Sequence, residues 1–93
     1  MTGANKDLIE AGIALIGERG PDIGSVWRHH KGGSYEVVCC ALREADLVPV
    51  VVYREYPPRG VGYEFGVALT WVRPLVNFCD GRFTQVAKAG RGT

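Results

Sequence analysis

Val26-Trp27-Arg28-His29-His30, then Lys31-Gly32-Gly33-Ser34, then Tyr35-Glu36-Val37-Val38-Cys39-Cys40-Ala41-Leu42: the reading of this stretch decides the fold. The flanking runs are rich in valine, cysteine and aromatic residues, which suit a pleated, half-buried surface. The two central glycines supply the backbone freedom that a tight reversal needs. Residues 26–30 and 35–42 are therefore expected to form a hairpin around a turn at 31–34.

The pattern continues downstream. Arg43-Glu44-Ala45-Asp46 is polar and reads as a second turn. Leu47 to Tyr56 carries Val48, Val50, Val51, Val52 and Tyr53, and reads as a strand buried on both faces. Pro49 places an edge or a bulge near its start. Residues 57–64, with Arg59 and Tyr63 among prolines and glycines, read as a loop that connects strands or meets a ligand. Phe65 to Val72 alternates as a fourth strand, ended by Pro74. Leu75 to Phe78 suits one helical turn, Asp80-Gly81 a tight turn, and Arg82 to Val86 a fifth strand. Residues 88–93 are expected to fray.

Upstream, residues 6–19 read as a helix. Leu8, Ile9, Gly12, Ile13 and Ile16 fall on one face, widened by Ala11 and Leu15. Asn5 is the expected N-cap, and Asp7 falls in the first turn. Gly20-Pro21 is the stop, with the glycine suited to a left-handed cap. Mid-helix Gly12 marks a close approach to another element or a tolerated glycine. The expected fold is mainly β (α+β): a small antiparallel five-stranded SH3-like barrel, residues 24–87, behind one N-terminal helix, the whole of 1–93 forming a single domain.

Composition narrows the function classes. A 46% hydrophobic and 23% charged chain is globular rather than disordered. A net charge of +1 excludes a chain that binds nucleic acid by bulk electrostatics, so such binding needs a local patch. Three irregularly spaced cysteines, Cys39, Cys40 and Cys79, do not make a disulfide framework and suit a reducing compartment. The apolar run Ala11 to Ile16 is too short to span a bilayer, and Asp7 and Glu10 do not suit a signal peptide. The expectation is a cytoplasmic protein with no membrane partner.

Three stretches together, Trp27-Arg28-His29-His30-Lys31-Gly32, Val51-Val52-Tyr53 and Trp71-Val72-Arg73-Pro74-Leu75 followed by Phe78 and Arg82-Phe83, resemble the small bacterial proteins catalogued as domain of unknown function 1653 (DUF1653). The resemblance spans roughly residues 24–86. It implies no activity, since that family is named for lacking one.

Strand alternation puts Trp27, His29 and Lys31 on one face of the first hairpin, and Trp71 and Arg73 on one face of the fourth strand. If the faces meet, aromatic platforms with flanking cations suit a stacked base, Lys31 or Arg73 pairing with phosphate and Tyr53 adding a ring or hydroxyl. The alternative is that both indoles are core-fillers and the cations are solvated. Neighbouring residues of a strand face opposite ways, so His29/His30 and Cys39/Cys40 each offer a metal only one ligand. Tyr35 and Cys39 are expected on one face, Val38 and Cys40 on the other. No nucleophile elbow, phosphate loop or dinucleotide fingerprint is present, and no cofactor is expected.

The leading expectation is a non-enzymatic binding module for a nucleotide, oligonucleotide or peptide, using Trp27, His29, Lys31, Tyr53, Trp71 and Arg73. Two alternatives stand beside it. One is a structural or assembly subunit that forms a homodimer through the N-terminal helix. The other is a small enzyme or metal binder using His29 and a cysteine.

Overall fold

The structure, a computed structural model, describes residues 3–57 and 70–88. The loop expected over 57–64 beyond Pro57, the first half of the strand expected over 65–72, and the tail from residue 89 lie outside the described residues. Within them the order is α1 (Gly3–Arg19), β1 (Val26–His29), β2 (Ser34–Leu42), β3 (Pro49–Glu55), β4 (Thr70–Pro74), α2 (Leu75–Phe78) and β5 (Phe83–Ala87). The strands form one antiparallel sheet in the order β4-β3-β2-β1-β5.

The β1–β2 hairpin turns where the two glycines stand. Gly32 and Gly33 take φ of 104° and 89°, which only glycine adopts freely. The His29 N–H donates to the Gly33 carbonyl at 3.0 Å and closes the reversal. At the second turn Arg43 and Asp46 pair at 2.8 Å, and the Arg43 N–H donates to the Val48 carbonyl. Pro49 is the first residue of β3, where its missing donor is least harmful. A bulge falls in β2 instead, between Val37 and Cys39. That extra residue reverses the expected alternation of the thiols. Val37 pairs with Tyr53 and Cys40 with Val51, so Cys40 joins the inner face and packs on the core while Cys39 turns away from it.

The expected SH3-like barrel is not closed. β4 and β5 are the two edges of the sheet, and the sheet is open between them. It curls instead, until the edges meet through side chains: the Arg73 guanidinium of β4 lies 5.5 Å from the centre of the Phe83 ring of β5. α2 sits under this gap and lends Leu75 and Phe78 to the core, which also holds Val37, Val51, Tyr53 and Phe83. Phe78 stacks on Phe83 at 4.3 Å.

α1 begins at Gly3 rather than residue 6, so Asn5 lies inside the helix and Asp7 beyond its first turn. Its packed face is also narrower than the sequence suggests. Leu15 and Ile16 meet the core and Gly12 is buried, whereas Leu8, Ala11 and Ile13 are exposed. A Cβ on Gly12 would lie 2.6 Å from a Leu42 methyl, so this glycine does mark a close approach, to β2 and Pro49. Gly20 ends the helix without the left-handed conformation, donating to the Ile16 carbonyl at 2.7 Å. Its lack of a side chain serves space: a Cβ there would sit 2.6 Å from the Ile16 carbonyl oxygen. No helix among the described residues is long and apolar enough to cross a membrane.

Candidate functional site

The inner face of the curled sheet is filled at one end and open at the other. The open end is a cleft of about 370 Å³ lined by His29, Tyr35, Tyr53, Trp71, Val72, Arg73 and Phe83. All but Val72, which lies at the edge between Trp71 and Arg73, arrive by strand alternation. Tyr53 stands opposite Trp71, Val51 opposite Arg73, and His29 opposite Phe83, so all point inward. Trp71 is 48% exposed, the large platform among the rings. Tyr35 and Tyr53 meet edge to face at 5.5 Å, and both lean on Phe83.

Polar groups in the cleft are mostly donors. The Arg73 Nε donates to the Tyr53 hydroxyl at 3.2 Å, which fixes the guanidinium and leaves the phenolic hydrogen to be donated onward. No carboxylate pairs with Arg73 among the described residues. His29 Nδ1 accepts from the Lys31 N–H at 3.1 Å, so the neutral ring carries its proton on Nε2. Desolvation and the nearby His30, Arg73, Lys31 and Arg82 hold the His29 imidazole below its ordinary pKa of 6.5. Desolvation is the larger cause, and the basic neighbours add a positive local field that a near-neutral chain conceals.

Four of the six residues expected from sequence therefore converge: His29, Tyr53, Trp71 and Arg73. Two do not. Trp27 faces inward but is half-buried against the core, edge-on to Phe78 at 5.3 Å, with its indole N–H given to Ser25 Oγ at 2.9 Å. β1 ends at His29, so Lys31 leaves strand geometry and sits exposed in the turn; its backbone positions His29. Sequence reading missed Tyr35 and Phe83. Alternation did offer Tyr35, two residues before core Val37, but nothing local says that Phe83 meets β4 across the opening.

Chemistry that needs a thiol is poorly served. No cysteine lines the cleft among the described residues. Cys40 lies by the Pro21 carbonyl and Cys79 by the Arg19 carbonyl, both beside the end of α1. Burial pushes both thiols up in pKa, away from the nucleophilic thiolate. Among the described residues no group of three histidine, cysteine or carboxylate side chains could hold a metal ion.

Over residues 25–91 the chain matches DUF1653, described as a protein of unknown function. The chain belongs to that family. No curated protein and no solved structure matches it.

Proposed function

We propose that the protein is a non-enzymatic binding module whose cleft takes a nucleotide, free or within a single strand of nucleic acid. The observation that carries this reading is a half-exposed Trp71 beside an Arg73 that is braced by Tyr53 and unpaired with any described carboxylate. A base stacks on the indole, a contact worth about 1–3 kcal/mol by analogy with other single-strand binders. Phosphate meets Arg73 and the Nε2 proton of His29. The cleft volume of about 370 Å³ is within the range of small-ligand sites. A peptide would leave the flat aromatic wall and the anion-seeking donors with less to do. The three free cysteines accord with a cytoplasmic setting.

Tryptophan fluorescence titrated with nucleoside monophosphates and short single strands, at low and moderate salt, tests it. Quenching that weakens with salt and disappears in Trp71→Phe is expected. No quenching by any of them would end the reading.

Exposed Leu8 and Ile13, at 55% and 59%, favour a second reading, homodimerisation through α1. It predicts a dimer in light scattering that Ile13→Asp dissolves; a monomer at high concentration rejects it.

A further inference from the structure

Glu55 is the odd group of this neighbourhood. It follows Tyr53 by two positions on β3, so it faces inward, and it stands directly opposite Tyr35 of the cleft wall. Its Oε1 is buried with no hydrogen-bond partner among the described residues. A buried acceptor left unsatisfied is unfavourable and uncommon in a folded chain, and a ligand donor is one way to satisfy it.

Along the β3–β4 arm three kinds of group succeed one another at inward positions. Arg73 lies at the level of Val51, Trp71 at the level of Tyr53, and Glu55 one step further. Positions 51 and 55 are roughly 13 Å apart along a strand. That leaves room for a nucleotide to lie along the arm with its phosphate at one end and the pairing edge of its base at the other. With phosphate at Arg73 and the base over Trp71, the base edge comes to Glu55.

We infer that Glu55 reads the base edge and that the base it selects is guanine, an inference resting on the nucleotide reading above. Guanine offers two adjacent donors, N1–H and the 2-amino group, which a carboxylate accepts together. Adenine and cytosine set a ring acceptor beside their amino group. Uracil sets its N3–H between two carbonyls. Each of these turns a lone pair toward Glu55. A cationic peptide would also satisfy Glu55, but the positive field about His29 and Arg73 opposes it.

The test is a set of parallel fluorescence titrations with GMP, AMP, CMP and UMP, and with two short single strands that differ only in one guanine or adenine. Tighter binding of GMP and of the guanine strand is expected. Preference present in the mononucleotides points to a free nucleotide. Preference in the strands alone points to guanine held in a strand, and either supports the assignment. Glu55→Gln is expected to weaken GMP about tenfold without weakening AMP, since one charge-assisted pair to guanine is lost whereas the new amide N–H can donate to the adenine ring nitrogen. A thermal melt of the variant checks that it folds. Equal affinity for all four mononucleotides and both strands overturns the guanine assignment and leaves nucleotide binding standing. An equal loss for all bases in Glu55→Gln also overturns it. Absence of binding by every probe overturns both readings.

Discussion

The two ends of one inner sheet face meet different fates. At the filled end, Leu15 and Ile16 of α1 and Leu75 and Phe78 of α2 close over Val51, which is wholly buried. At the open end, His29, Tyr35, Trp71 and Arg73 project from the same face, and the cleft stays open to solvent. The two tryptophans state the difference within one residue type. Trp27 is wedged edge-on to Phe78 with its N–H satisfied by Ser25, whereas Trp71 is 48% exposed beside Arg73. Strand alternation turns both inward; a helix covers only one of the two regions. What lies over a side chain decides whether its apolar area becomes stability or remains available to a ligand.

The comparison breaks most readily at its filled end. Phe78 is 1% exposed and stacks on Phe83, so Phe78→Ala is expected to cost about 3–5 kcal/mol in urea unfolding. A loss below about 1 kcal/mol would mean that this end is not where stability resides. Gly20→Ala tests the seam where α1 leaves the sheet. The new methyl meets the Ile16 carbonyl oxygen and the Cys40 thiol, and a loss of about 1–3 kcal/mol is expected although the backbone conformation there is ordinary. A neutral result would show that α1 shifts freely on the core. Trp71→Ala sharpens the contrast from the other end. Its stability is expected to stay within about 0.5 kcal/mol of the parent, while ligand-induced quenching is lost. A large destabilisation would place Trp71 with the core and remove the distinction.

The same contrast separates what the sequence makes legible from what it hides. The hairpin, the strand order along the chain and the single turn of α2 follow from glycine, proline and β-branched residues, whose preferences are local. The inward direction of His29, Tyr53, Trp71 and Arg73 follows from period two. The bulge at Val37–Cys39 does not, because it depends on how β2 fits β3, and it alone exchanges Cys39 for Cys40 on the inner face. Nor does the failure to close, which depends on how far the curled edges stand apart. Helix periodicity likewise put Leu8 and Ile13 on the packed face, but the sheet reaches only as far as Gly12, Leu15 and Ile16.

The smallest expected effect sets the cleft's charge against the rest of the molecule. In the folded chain, desolvation and the nearby His30, Arg73, Lys31 and Arg82 hold His29 below 6.5, so the unfolded chain takes up this proton more readily. Stability contributed by the neutral ring is present above 6.5 and drains away as pH falls through the lower folded value. Melting temperature is thus expected to fall slightly between about pH 7.5 and about pH 5.5, with the slope reduced in His29→Asn. A phosphate in the cleft reverses the sign. Its negative charge favours the imidazolium, so nucleotide affinity is expected to rise over the same fall in pH, and to rise less in His29→Asn. Parallel slopes in the free and nucleotide-saturated protein would show that phosphate does not reach His29, leaving the ring a wall of the cleft and Arg73 alone to hold the anion.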